Sequence, residues 1–81
     1  MKIEKGVMIV KDGKAWGKVH EDGQMRIYGW VDIEDAIMHD PEHCKTPSDA
    51  TYPGSPYIDE LMNGKIVLVE RITNVNILDI V

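Results

Sequence analysis

A chain of 81 residues with 43% hydrophobic and 28% charged residues has material for one core and no second domain. Its single cysteine, Cys44, excludes an intramolecular disulfide, and no apolar run approaches the roughly 20 residues of a membrane span. The net charge of −5, a charged N-terminus without a targeting pattern and ordinary Pro and Gly content together lead to the expectation of one soluble, cytoplasmic domain over 1–81.

Two Asp-Gly pairs dominate the first 30 residues. Lys11-Asp12-Gly13-Lys14 and Glu21-Asp22-Gly23-Gln24 both have the residues that two-residue hairpin loops demand, because their central positions need φ > 0. Strands are expected over Val7 to Val10, Ala15 to His20 and Met25 to Trp30, forming an antiparallel meander. Tight turns would pair Val10 with Ala15, Ile9 with Trp16, Trp16 with Gly29 and Lys18 with Ile27. One face then carries Val7, Ile9, Trp16, Met25 and Ile27, the other Met8, Val10, Ala15, Gly17, Val19, Tyr28 and Trp30. A sheet apolar on both faces must be covered on both, and so short a chain leads to the expectation of a homodimer.

After Trp30 the period changes. Asp32 is placed to cap a helix over Ile33 to His39, with acids in its first turn and an apolar stripe at Ile33, Ala36 and Ile37. Pro41 ends it, and Asp40-Pro41-Glu42-His43 can open one further turn. Lys45 to Gly54 has loop chemistry; Ser55 to Met62 reads as a short capped helix stopped by Asn63-Gly64. Lys65 to Ile72 is a strand by its Ile, Val and Leu content and Val75 to Val81 a second, with Thr73-Asn74 either a turn or a bend. The fold class is α+β: a meander over 1–30, an acidic helix-loop-helix segment over 31–64, and a C-terminal strand or hairpin over 65–81. A partly closed barrel is compatible with that order.

No catalytic constellation stands out. His39, Asp40, Glu42, His43 and Cys44 have residue types that zinc accepts, but Pro41 breaks the helix that would align the two histidines, and adjacent His43 and Cys44 chelate one ion poorly. Cys44 near His39 or His43 lacks an oriented base and an oxyanion hole, and the glycines match no phosphate loop. The expectation is no enzyme, no cofactor and no metal.

Charge is distributed unevenly. Residues 1–30 hold six basic against four acidic residues; residues 31–62 hold Lys45 against Asp32, Glu34, Asp35, Asp40, Glu42, Asp49, Asp59 and Glu60. An acidic field steers basic partners and repels phosphates, so direct nucleic-acid binding there is not expected. The functional expectation is a protein-interaction module whose acids, with Tyr52 and Tyr57 as aromatic anchors, dock on a basic, nucleic-acid-binding surface of a host complex. Trp30 is a further candidate anchor. In size, acidity and lack of catalytic motifs the chain is similar to phage-encoded anti-defence proteins, including anti-CRISPR proteins, a likeness of general character that attaches to no motif. The alternative is a small β-rich nucleic-acid or ligand-binding module using Lys11, Lys14, Lys18 and Arg26 with Trp16, Tyr28 and Trp30 as stacking platforms.

Overall fold

The computed structural model describes residues 3–71 and 75–80. Ile72, Thr73, Asn74 and Val81, read above as strand or turn, lie outside them. Five strands form one antiparallel, unclosed sheet: β1 (Glu4–Lys11), β2 (Lys14–Glu21), β3 (Arg26–Val31), β4 (Lys65–Arg71) and β5 (Val75–Ile80), in the order β3-β2-β1-β4-β5. The domain is β-rich, and its sheet stays open with β4 beside the meander instead of forming the partly closed barrel that the element order also allows. β4 and β5 pair with each other, so the C-terminal segment is a hairpin.

The first turn follows its sequence. Lys11 pairs with Lys14 around Asp12 (φ 51°) and Gly13 (φ 80°), the left-handed geometry of a two-residue loop. The second does not. Glu21 pairs with Arg26, leaving a four-residue loop, because the Asp22 carboxylate accepts the backbone N–H groups of Gln24 and Met25, each at 2.8 Å. A register shift between Lys18 and His20 follows, and Trp16 then pairs with Trp30, Gly17 with Gly29 and Lys18 with Tyr28. The expected pairings of Trp16 with Gly29 and Lys18 with Ile27 are thus corrected by one residue. One residue inverts the strand, so Tyr28 and Trp30 share the face of Trp16 and Ile27 moves to the other.

The helix expected over Ile33 to His39 is also corrected. A 3-10 turn at Ile33–Asp35 gives way to extended chain, and Asp32 makes no capping bond; its carboxylate pairs with Lys14 instead. Seven residues ahead of a proline make a marginal helix. The extended form finds better partners: β1 and β2 pair only at Val10 with Ala15 and Lys11 with Lys14, and beyond them 36–39 bridges the two strands. Ile37 N–H donates to Trp16 O (3.1 Å), His39 N–H to Val7 O (2.8 Å) and Val7 N–H to His39 O (2.9 Å). This insertion displaces the expected pairing of Ile9 with Trp16; Ile9 pairs with Ile66 on its other side. Bare backbone at Gly6 and Gly17 makes room: a Cβ on Gly17 would stand 3.0 Å from Ala36 Cα, and one on Gly6 2.7 Å from His39 O.

The chain itself covers the centre of both faces, while Val19, Ile27, Leu68, Ile77 and Leu78 stay exposed. On one, Val7, Ile9, Trp16 and Ile66 pack with Cys44 and Leu61 from the acidic segment. On the other, Met8, Ala15, Val67 and Val69 pack with Ala36, flanked by Val10, Val31, Ile33 and Met38. Full burial of Leu61, the last residue of the short helix α1 (Ile58–Leu61), stabilises the fold by about 1.5–3 kcal/mol. The uncovered sheet faces that motivated the homodimer expectation are therefore absent over the centre of the sheet.

Candidate aromatic binding site

On the face that carries Trp16 lies a pocket of about 240 Å³ lined by Trp16, Tyr28, Ile37, Ala50, Thr51, Tyr52 and Tyr57. Each wall has a local cause. Trp16 and Tyr28 come from β2 and β3, brought onto one face by the one-residue register correction. Ile37 comes from the inserted segment, whose alternation sends Ala36 and Met38 to the opposite cluster.

The remaining walls come from the long loop. A 3-10 turn at Pro47–Ala50 is tied down by Asp49, whose carboxylate accepts the N–H groups of Lys45 (2.9 Å) and Thr46 (3.0 Å). Those two bonds hold the Asp49 carboxyl below its ordinary range. Tyr52-Pro53-Gly54-Ser55 then turns: Pro53 fixes its own φ, Gly54 takes φ 82°, and Ser55 N–H donates to Tyr52 O (3.2 Å). Buried Ser55 accepts Tyr57 N–H on its hydroxyl (3.1 Å), which carries Tyr57 back under the sheet while Tyr52 stays 64% exposed at the rim.

Tyr57 organises the interior. Its ring lies 5.6 Å from Trp16 at 70° and 5.7 Å from Tyr28 at 83°, both edge-to-face, and its hydroxyl accepts the Tyr28 N–H at 3.5 Å. Trp16 continues the series to Trp30 at 5.1 Å and 77°. Trp30 is not a free anchor: its indole N–H donates to Glu60 at 2.6 Å, and Lys11, bonded to the same carboxylate oxygen at 3.1 Å, lies 5.7 Å above the Trp30 ring.

The eight acids divide by what they touch. Glu60 is held by Trp30 and Lys11, and Asp32 by Lys14; each partner keeps the carboxyl below its ordinary range. Asp40 accepts the Glu42 N–H (2.9 Å) and pairs with His43 (3.2 Å), while Asp49 holds its turn. Glu34, Asp35, Glu42 and Asp59 are exposed and make no ion pair among the described residues. Of the ten residues singled out for partner binding, Tyr52 and Tyr57 meet in the pocket, four acids are exposed around the same segment, and four serve the fold.

The His39 to Cys44 group is dispersed. Cys44 is buried in the core, and burial, then Asp49, pushes its thiol up. His43 is exposed, and His39 is half-buried with Nε2 enclosed and lacking a hydrogen-bond partner, its burial holding the imidazole below its ordinary value. Among the described residues no three His, Cys, Asp or Glu side chains are placed to hold a metal ion. No described helix is long and apolar enough to cross a membrane. The four basic residues considered for nucleic-acid binding are each engaged: Lys11 with Glu60, Lys14 with Asp32, and Lys18 and Arg26 with Glu21.

Sequence reasoning missed Trp16, Tyr28 and Ile37 as partners of the two tyrosines. Ile37 was assigned to a helix, and the register of the second hairpin put Trp16 and Tyr28 on opposite faces. The Asp22 side chain signals the longer loop, since aspartate in a turn caps N–H groups two or three residues on, but the one-residue bulge between Lys18 and His20 that brings Tyr28 to the face of Trp16 has no such local signal. Comparison with known proteins adds no family: no protein-family model, no curated protein and no solved structure matches the chain.

Proposed function

We propose that this chain is a non-enzymatic protein-interaction module that docks on a basic surface of a partner protein. The observation that carries the reading is the convergence of Trp16 and Tyr28 from the meander with Tyr52 and Tyr57 on one pocket, whose outer walls come from a segment holding eight acids against one lysine. At about 240 Å³ the pocket is smaller than the roughly 300–1,000 Å³ of most small-molecule sites and suits one inserted side chain. Its lining offers hydroxyl groups but no carboxylate, imidazole or thiol, which favours binding over acid–base or nucleophilic chemistry.

Exposed Glu34, Asp35, Glu42 and Asp59 supply the steering field, and half-buried Tyr57 with rim-exposed Tyr52 supply the anchor. A basic surface that accepts this module is one that also attracts nucleic acid. Occupying it makes the module a competitor of DNA or RNA, the mode of inhibition expected of an anti-defence protein. The nucleic-acid-binding alternative is disfavoured: Lys11, Lys14, Lys18 and Arg26, the cations it would use, already face carboxylates, and Trp16 is 2% exposed, which leaves it no free face for stacking.

The test is affinity capture from a lysate with wild-type, Tyr52→Ala and Tyr57→Ala baits, at low and high salt. The reading expects a basic protein retained by the wild type, released by salt and lost with either variant. Equal capture by all three baits, or retention of the wild type on a single-stranded DNA column, would refute it.

A further inference from the structure

We infer that β5 is the surface on which two copies of this chain pair, antiparallel about a two-fold axis normal to the sheet at Ile77, giving one continuous sheet with five strands from each copy. The first support is the difference between the two sheet edges. β3 is closed: the Tyr28 N–H, on the side away from β2, donates to the Tyr57 hydroxyl (3.5 Å), and Trp30 two residues on is held by Glu60. β5 has β4 on one side, and among the described residues no backbone hydrogen bond leaves its other side. Its sequence, Val75-Asn76-Ile77-Leu78-Asp79-Ile80, contains neither lysine nor proline, residues that guard an edge against pairing.

The second support is a core row that stops short. Gly6, Val69 and Ile77 stand opposite one another across β1, β4 and β5, on the face of Met8 and Val67. Val69 is 1% exposed but Ile77 is 50% exposed, with Leu78 beside it at 51%, so the row is buried as far as β4 and open at β5. Opposite residues in an antiparallel pair share a face, and an axis at Ile77 sets this side chain against its own copy. The row then continues from Val69 of one chain to Val69 of the other. The register shift between Leu68 and Val69 leaves Leu78 as the extra residue on β5, and the bend of such a bulge confines close pairing to a short stretch.

The third support, charge, selects a second copy over another partner. The eight acids of 31–62 lie outside this hairpin, and residues 65–80 hold Lys65 and Arg71 against Glu70 and Asp79. A basic partner is drawn to the acidic segment, whereas two copies meet at β5 without an excess of like charge. Because β3 is closed, each copy offers one edge and the assembly stops at two. An axis normal to the sheet keeps each face on its own side, so the pockets of both copies open on the same face.

Six residues make a short edge beside the roughly 1,200–2,000 Å² of a stable interface, so the dimer is reversible and builds up with concentration. Sedimentation of the full chain from low micromolar to several hundred micromolar, with no other protein present, provides the test. A monomer–dimer equilibrium without larger species is expected. Ile77→Lys, which removes a half-exposed isoleucine from each copy and sets two like charges opposite, should weaken it about 10- to 100-fold. Leu78→Lys, also at an exposed position, serves the same purpose should Ile77→Lys disturb the fold, and Ile27→Lys on β3 should leave the equilibrium unchanged. Amide hydrogen exchange should slow over 75–80 as concentration rises and stay constant over β3. Monomer alone at several hundred micromolar, open-ended assembly, a dimer that both β5 variants leave intact, or protection that rises on β3 instead would overturn the inference.

Discussion

Gly17→Ala tests whether 36–39 is a strand inserted between β1 and β2. A Cβ at Gly17 would meet Val31 Cγ2 at 2.7 Å, Ala36 Cα at 3.0 Å and Asp35 O at 3.3 Å. Ordinary carbon contacts lie at about 3.5–4.0 Å, so the inserted segment would have to retreat by several tenths of an ångström. It is held in place by the Ile37 N–H bond to Trp16 O, one residue from the substitution, and by both bonds between Val7 and His39. Overpacking of this kind costs about 1–3 kcal/mol, partly offset by the roughly 0.4–1 kcal/mol that alanine contributes by restricting the unfolded chain. A net loss of about 1–2 kcal/mol corresponds to a fall in Tm of about 4–16 °C for a domain of this size. Urea and thermal unfolding of Gly17→Ala should show that loss, and hydrogen exchange should show the Ile37 and His39 amides losing protection first. Gly23→Ala is the control, since nothing lies within 4 Å of its Cβ position, and it should melt within a few degrees of wild type. Adding Val31→Ala to Gly17→Ala relieves one of the contacts but not the Ala36 backbone, so rescue should be partial. A Gly17→Ala protein as stable as wild type, with the Ile37 amide still protected, would refute the insertion.

Cys44 is 3% exposed and its thiol is pushed up by burial, so an alkylating reagent should label it far more slowly in the native chain than in urea; equal rates would refute its core position. Glu21, Asp22, Asp32, Asp40, Asp49 and Glu60 all titrate lower in the folded chain than their ordinary values. The stability they contribute is therefore present above the ordinary carboxylate range and lost as pH falls through their folded values. His39 is also depressed, from an ordinary 6.5, so the unfolded chain takes up that proton first and stability starts to decline at a higher pH than the carboxylates explain. Thermal melts from about pH 8 to about pH 3 should show both stages, and His39→Gln should remove the upper one. Neutralising Glu34, Asp35, Glu42 and Asp59 together should leave the melting temperature near wild type and slow association with the partner, whereas Glu60→Gln should destabilise the fold by loosening Trp30 and Lys11. A quadruple variant that associates at the wild-type rate with the same salt dependence would reduce those acids to a solubility device.

Local chemistry alone determined the three meander strands, the Asp12-Gly13 turn, the strand character of the C-terminal segment and the acidic middle segment, because each rests on residues adjacent in sequence; that the C-terminal segment pairs with itself it left open. Asp-Gly accepts the left-handed backbone whatever surrounds it, and Ile, Val and Leu at Ile66 to Val69 favour a strand before any partner is known. Tyr52 and Tyr57, expected as aromatic anchors, stand on either side of the Pro53-Gly54 turn, and the structure sets both in the pocket lining. The tertiary structure decided three things that local pattern could not. Asp22 bonded the N–H groups of Gln24 and Met25 and so lengthened the second loop by two residues, which keeps each face; the one-residue bulge between Lys18 and His20 then inverted β3 and brought Tyr28 to the face of Trp16. Ala36 to His39 carried a helical apolar pattern, yet the diverging β1 and β2 offered backbone partners on two sides that a seven-residue helix could not match. The pocket exists only because those two outcomes coincide: Trp16, Tyr28 and Ile37 reach Tyr57 through hydrogen bonds that span the chain, and a preference among distant partners is invisible to a reading of neighbours.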